Sequence, residues 1–348
     1  MSRYYTRVCN FYFGNKSKTL VKKKKSLPLN GTNQISFDQI ELVSRKYKKK
    51  ISINRINTLP DKLRRKVKFD LNLITNKKKF KNLKFSYTPK IMGVLNITPD
   101  SFSDGGRYLK KELAYKQLNH LFETGADIVD IGGESTRPGS KAIKVKIEWK
   151  RLKRVLQKID KKKIISLDTR KSEIMEKGIN LGVKLINDVS GLSYDKNSIN
   201  ILKKYKTPFV LQHSLGSPEV MQKNPKYKNV LLDIYDFFED RIKFLRSIGI
   251  NHNNIILDPG IGFGKNLKHN ITIIKNISIY HSLGLPILLG ISKKKFIKEL
   301  SGRNDSFSRI GGTISSCIFL MTQGVQILRV HDVNEIYQSI KVFKELIK

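Results

Sequence analysis

Asn96, Asp168, Asn187, Asp258, Lys294, Arg329 and His331 each stand at or just beyond the end of a short apolar run, and their side chains sort by chemistry. Asp168 and Asp258 can accept hydrogen bonds from ring N–H and amino groups, and Asn187 can both accept and donate. Together they suit a flat heterocycle with an amino-pyrimidinone edge, to whose carbonyl Lys294 could donate. Arg329, His331 and Arg137, joined by the hydroxyl of Thr136, make a cationic set that fits a phosphate or pyrophosphate. Asn96 and nearby oxygens suit magnesium, a hard cation that prefers oxygen ligands and bridges to substrate phosphates. Phe102, Pro138 and Phe263 offer apolar walls for an aromatic amine.

Any one polar residue at a strand end is more often a helix cap than a functional group. Eight ends of this kind make capping alone a poor explanation. The runs are IMGVLNI, DIVDIGG, IISLDT, LINDVS, PFVLQHS, IILDPG, PILLGIS and QILRVHD, ending respectively in Asn96, Gly132-Gly133-Glu134, Asp168, Asn187-Asp188, Gln212-His213, Asp258, Ser292-Lys293-Lys294 and Arg329 with His331. Segments of helical spacing separate them, such as Ala114, Leu118, Leu121 and Phe122 before a capping Gly125, and a last helix carries Ile336, Ile340, Phe343 and Ile347. Eight strand-helix units in about 250 residues predict an α/β fold, a (β/α)8 TIM barrel, whose catalytic groups gather at the carboxyl ends of the strands. A doubly wound open sheet is the competing architecture. No G-x-G-x-x-G opens the first helix, which counts against its dinucleotide-binding form.

The first strand runs into ITPDSFSDGG, where Thr98, Asp100, Ser101, Ser103 and Asp104 crowd around Phe102. Pro99 and the two glycines account for the turn. They do not account for an aromatic side chain among so many polar ones.

Lys and Arg total 68 against 29 Asp and Glu in 348 residues, a formal net charge of +39. Such an excess suits a nucleic-acid or anionic-membrane partner. Lysines occur along the whole chain beside abundant Ile and Asn, so the charge is read as a bias of residue usage with a secondary benefit for anionic substrates, and a nucleic-acid partner is not expected. Cys9 and Cys317 are too few and too far apart for a disulfide framework, which suits a reducing cytoplasm. No run approaches the roughly 18 apolar residues of a membrane helix, and the amino terminus lacks a secretory apolar segment, so no membrane association is expected. Residues 1–88, Lys-rich and weakly periodic, are expected to form an extension distinct from a barrel over 89–348; Tyr4, Tyr5, Phe11 and Phe13 suggest that it packs against something.

LNITPDSFSDGG, DIGGESTRPGS, INDVSG, HSLGSPEVMQ, LDPGIGFGK, SKK and RVHD resemble, in content and order, the motifs of the dihydropteroate synthases of the folate pathway. Residues 1–88 more loosely resemble the amino-terminal extension of some alphaproteobacterial members. The resemblance implies a transferase joining 4-aminobenzoate to 6-hydroxymethyl-7,8-dihydropterin diphosphate, with 7,8-dihydropteroate and diphosphate as products. It implies Asp168, Asn187, Asp258, Gly262 and Lys294 as pterin-binding residues, and Thr136, Arg137, Arg329 and His331 as the diphosphate site. Phe102, Pro138, Phe263, Ser292 and Lys294 would form the aminobenzoate site. Asn96 would bind Mg2+, and Asn96, Asp168, Lys294, Arg329 and His331 would carry catalysis in a homodimer. The family's usual S-R-K is Ser292-Lys293-Lys294 here, and a frequent methionine is Gln212. Rival readings are a pterin-binding methyltransferase-type barrel, against which SKK and RVHD argue, a paralogue that has lost activity, and a basic nucleic-acid protein.

Overall fold

Strict alternation of side chains along eight parallel strands decides this architecture. The computed structural model describes residues 3–77, 80, 83–98, 111–135, 140–216 and 225–347. Its barrel strands are β5 (Lys90–Asn96), β6 (Ile128–Gly132), β7 (Ile165–Asp168), β8 (Leu185–Asp188), β9 (Phe209–Gln212), β10 (Ile255–Asp258), β11 (Leu288–Gly290) and β12 (Ile327–Val330). Their order, β10-β9-β8-β7-β6-β5-β12-β11, is closed by a parallel bridge between Leu257 and Ile287. The eight sequence runs are therefore the eight staves of a barrel, and the open-sheet alternative is ruled out.

Because successive strand residues point to opposite faces, each stave sends every second side chain inward. Met92, Ile128, Leu185, Val210, Ile256, Leu288 and Ile327 form one apolar layer at the barrel's base, and Phe80 and Leu83 plug it from below. Two residues further along the same strands stand Asp130, Asn187, Gln212, Asp258 and Arg329. Neighbouring register places Gly132 beside both Asn96 and Asp168, and Asp258 beside Gln212. The interior thus changes from hydrocarbon to hydrogen-bonding groups on the way to the mouth.

The outward-facing strand residues pack under the helices that follow the staves: α3 (Lys111–Glu123), α4 (Val145–Leu156), α5 (Ser172–Asn180), α6 (Ser198–Tyr205), α7 (Val230–Ser247), α8 (Leu267–Lys275), α9 (Lys295–Ser301) and α10 (Ile310–Thr322), and α11 (Val333–Leu346) after β12.

Residues before the barrel are ordered into β1 (Tyr5–Phe13), α1 (Gly14–Lys22), β2 (Leu27–Leu29), β3 (Thr32–Val43), β4 (Lys48–Ser52) and α2 (Asp61–Thr75). The central β3 pairs antiparallel with β1 on one side and, in line along the other, with β4 and β2. Val8, Leu29, Phe37, Ile40, Val67 and Ile74 give this region a core of its own. It also abuts the barrel. Tyr5, 1% exposed, donates its hydroxyl to Asp236 at 2.8 Å and sets its ring edge-on to Tyr235, with centroids 5.0 Å apart. Arg45 forks onto Asp233 and Asp236 at 2.7 Å each, and the Ser278 hydroxyl donates to the Val8 carbonyl at 2.9 Å. Gly324, at φ +74°, lets Leu29 approach so closely that a Cβ there would lie 2.2 Å from Leu29 Cδ2.

Asp236 gathers Arg3, Tyr5 and Arg45 at this seam. The arginine pairs are partly exposed and contribute little; the buried phenol, left without an acceptor, carries most of the cost. Asp236→Ala is expected to lower stability by about 1–2 kcal/mol, read as a lower urea midpoint, and an unchanged midpoint would show that these bonds do not secure the seam.

Candidate functional site

Arg329 lies inside the mouth and is held from two sides. Its Nε donates to Asp130 Oδ2 at 2.7 Å and its Nη2 to Asp168 Oδ2 at 2.8 Å. The same Asp130 oxygen accepts from Asn187 Nδ2 at 2.8 Å. Asp130 thus fixes both a cation and an amide, and turns the Asn187 carbonyl oxygen away from itself. Sequence reasoning passed over Asp130. It sits two residues before the end of β6, and only the inward alternation through Ile128, Asp130 and Gly132 marks it as part of the mouth.

The electrostatics follow from burial. Burial raises the Asp168 carboxyl above its ordinary range, opposed by Arg329 and reinforced by Asp130. Burial also pushes Asp258 up to about 6, although the Gly260 N–H donates to its Oδ1 at 2.7 Å. Lys294 is pushed down to about 8 by burial and by Arg329, with Asp258 and Asp168 pulling the other way. Arg329 itself is held above its usual value: Asp130 and Asp168 more than offset the effect of burial.

Several buried polar atoms have no hydrogen-bond partner among the described residues: Asp130 Oδ1, Asp168 Oδ1, Asn187 Oδ1 and Gln212 Nε2. A native interior leaves few such groups, and each calls for a cause. Oxygens of Asp168 and Asn187 as acceptors, with Gln212 as a donor, match the mixed edge of an amino-pyrimidinone ring. Gln212, a departure from the family pattern, therefore presents a donor in the layer occupied by Asn187 and Asp258.

Lys294 is placed by the loop after β10. Its Nζ lies 4.5 Å from the centroid of the Phe263 ring, a cation–π contact. At Gly262, φ +82°, a Cβ would stand 3.4 Å from Lys294 Cδ. Lys265 ties that loop down: its buried Nζ lies 3.0 Å from His213 Nδ1 and 2.8 Å from the Phe263 carbonyl. Burial and Lys265 push His213 down to about 2, so the ring is neutral and accepts that bond.

Ser292 Oγ lies 3.1 Å from His331 Nδ1 and also accepts from the His331 backbone N–H at 3.3 Å. Its described bonds therefore brace the histidine. Lys293, where the family has arginine, adopts φ +58° and reaches Asp332 at 2.8 Å, with its Nζ 4.7 Å from the Phe307 centroid. A single ion pair and a ring contact replace the fork a guanidinium would make.

Glu134 does not join the mouth. It is 4% exposed and pairs with Arg170 at 3.0 Å and Lys171 at 2.8 Å, while Lys171 also holds Glu148 at 2.6 Å. Glu134 Oε1 accepts from the Ile143 N–H and the Ser135 carbonyl from the Ser140 hydroxyl, which anchors both feet of the loop between them. Thr136, Arg137 and Pro138 on that loop, and Asp100, Phe102 and Asp104 on the loop after β5, lie outside the described residues.

Asn96 ends β5, half-buried, with its Oδ1 3.3 Å from where a Gly132 Cβ would stand. The missing Cβ leaves that oxygen uncrowded. No group of three His, Cys, Asp or Glu suited to a metal occurs among the described residues. A magnesium ion would therefore take Asn96 from the protein and most of its oxygens from substrate and water, as this ion commonly does.

Residues 92–331 match the model of the pterin binding enzyme family. The dihydropteroate synthase of Neisseria meningitidis serogroup B is 40% identical over 265 residues, covering 74% of this chain and 93% of that protein. A Xanthomonas albilineans dihydropteroate synthase solved with 4-aminobenzoic acid superposes with a TM-score of 0.70 at 34% identity, covering 74% of this chain and 93% of the other. A structure of the same enzyme in complex with 7,8-dihydropteroate gives 0.67 at 31%, with 74% and 94% covered.

Asp258 ties the site to stability. Its folded-state value, about 6, lies above the ordinary 3.8, so the folded protein takes up the proton first. The group therefore adds stability as pH falls from about 6 to 4 and withdraws it as pH rises. Asp258→Asn is expected to stabilise the protein at pH 7 by roughly 2–3 kcal/mol, with a flatter urea midpoint between pH 4 and 6. A midpoint lowered at pH 7 would contradict this.

Proposed function

This chain belongs to the dihydropteroate synthase family of pterin-binding enzymes, and from that premise we infer how its mouth performs the family's reaction. It is a transferase that joins 6-hydroxymethyl-7,8-dihydropterin diphosphate to 4-aminobenzoate, giving 7,8-dihydropteroate and diphosphate. The observation that carries the residue assignment is the set of unpartnered atoms on Asp168, Asn187 and Gln212 at the floor of a mouth centred on Arg329.

In this reading the pterin lies across that floor, with its N–H and amino groups donating to Asp168 and Asn187, Gln212 donating to a ring acceptor, and Asp258 and Lys294 at its other edge. Arg329 has its Nε and Nη2 on carboxylates, which leaves Nη1 for the diphosphate. His331, braced by Ser292, joins it, with Thr136 and Arg137 from the neighbouring loop. Magnesium held at Asn96 would add positive charge against the departing diphosphate.

The bond between the pterin methylene and the diphosphate oxygen loosens first. The electron pair leaves with the diphosphate, where Arg329 and His331 stabilise it, and the carboxylates of Asp168 and Asp258 stabilise the cationic pterin methylene. The aryl amine then forms the new C–N bond with its lone pair, and the proton it loses leaves with the diphosphate product. Phe263 and the Lys294 chain form one wall for the amine, and the reading keeps Phe102 and Pro138, outside the described residues, for its apolar surroundings. The reading assigns Phe102 and Arg137, which lie outside the described residues, to excluding water, which would otherwise capture the cation.

The reading includes a homodimer, on the strength of kinship. It also places the protein in the cytoplasm: Cys9 and Cys317 are unpaired, and among the described residues no helix is long and apolar enough to cross a membrane. The barrel that begins at Lys90 holds every residue assigned to chemistry, and residues 1–88 serve another purpose.

Diphosphate release from the pterin substrate should require 4-aminobenzoate and yield dihydropteroate in equal amount. Lys294→Met is expected to lower kcat/KM by about 10²-fold. No release by the full-length protein would overturn the assignment, and an unimpaired Lys294→Met would remove that residue from it.

A further inference from the structure

Once the fold divides the chain at the first barrel strand, the positive charge is no longer even. Residues 1–88 hold 24 Lys and Arg against 4 Asp and Glu, a net of +20; the other 260 residues hold 44 against 25, a net of +19. A bias in residue usage acts on both parts alike, so the barrel serves as an internal control. The amino-terminal region exceeds it about threefold in net charge per residue. Its four acids are also engaged: Asp38 accepts from Asn10 and Tyr12, Glu41 pairs with Arg7, Asp61 with Arg64, and buried Asp70 with Lys66 and Thr6. Arg3 and Arg45 pair with barrel acids, but most of the remaining described lysines of this region are exposed.

Those cations are placed together. Lys48, Lys49 and Lys50 are all exposed on β4, and Lys22 to Lys25 are exposed where α1 leads into β2. Both strands lie along the same side of β3, with Lys50 opposite Glu41 and Leu27 opposite Phe37, so four residues, roughly 14 Å of strand, separate them. Lys50 also lines a groove of about 390 Å³ between the sheet and the barrel, with Arg7, Lys275, Phe11, Phe13 and Phe319. Lys275 ends α8, and its chain leads toward the start of β11, so the groove lies at the end of the barrel opposite the mouth.

We propose that this groove, continued by the lysines of β4 and of the end of α1, binds single-stranded nucleic acid. Cations that follow a backbone, with aromatic rings on which bases can stack, are the two elements such a surface requires. A membrane fits less well. Successive strand residues point to opposite faces, so Lys49 and the Lys48–Lys50 pair wrap an edge that a flat bilayer could meet only from one side. A flexible strand can follow it.

The test uses the full-length protein and a fluorescent oligouridylate of about 16 nucleotides, with anisotropy read from about 50 to 200 mM salt. Binding that weakens with salt is expected. Substituting Lys48, Lys50 and Lys275 each by Gln should lower the slope of log K against log salt by about 2, at about 0.7 per lost phosphate contact. Substituting Lys116, Lys150 and Lys298 by Gln on barrel helices should leave it unchanged, and both variants should keep the wild-type transferase rate. No binding at the lowest salt overturns the proposal. So does an equal slope loss in both variants, which would mean diffuse attraction, and so does capture by phosphatidylserine vesicles without RNA binding.

Discussion

The ion pair of Arg329 with Asp130 and Asp168 is the interaction on which the mouth depends. An isolated charge in a protein interior costs several kcal/mol, and breaking one side of a buried pair leaves that cost uncompensated. Here one guanidinium, with two bonds of 2.7 and 2.8 Å, offsets two carboxylates from neighbouring staves. Because the same Asp130 oxygen also accepts from Asn187, the pair orients that amide as well. Under the proposed reading, the cation that takes the leaving group and the acceptors that take the ring are thus positioned by one network of Arg329, Asp130, Asp168 and Asn187.

The network is incomplete by its own chemistry. Carboxyls raised by burial, a lysine lowered by it, and unpartnered atoms on Asp168, Asn187 and Gln212 all mark a floor that costs stability in the absence of ligand. Binding sites commonly carry such a cost. A substrate supplying N–H donors and a ring acceptor would offset part of it, because the unpartnered atoms of Asp168, Asn187 and Gln212 each find a counterpart on such a ring. Lys265, fastening the Phe263 loop to His213, keeps the adjoining wall in place while this happens.

The strand ends were legible because a barrel converts sequence position into place: the last inward residue of each apolar run must face the mouth. Asp168, Asn187, Asp258 and Arg329 were found in that way. Asp130 was missed because it lies one inward step below the end of its strand, and nothing in a linear run tells a mid-strand aspartate at the mouth from a capping one. Glu134 was misread for the complementary reason: just past the end of β6 the chain turns outward, and the side chain enters an ion network with Arg170, Lys171 and Glu148. In the amino-terminal region, Ile35 with Phe37 and Ile40 with Leu42 alternate in two short stretches whose phase changes between Phe37 and Ile40, too short a pattern to mark one long strand, and the even appearance of the charge concealed how much of it belongs there.

The central claim is that Asp130, which is assigned no substrate contact through its bonded oxygen, sets the affinity for the pterin through Asn187 and Arg329. Titration calorimetry of 6-hydroxymethyl-7,8-dihydropterin into Asp130→Ala tests this most directly. The account predicts an affinity at least about tenfold weaker than wild type, one broken charged hydrogen-bond network being equivalent to 1.4 kcal/mol or more. An unchanged affinity in a folded variant would contradict it.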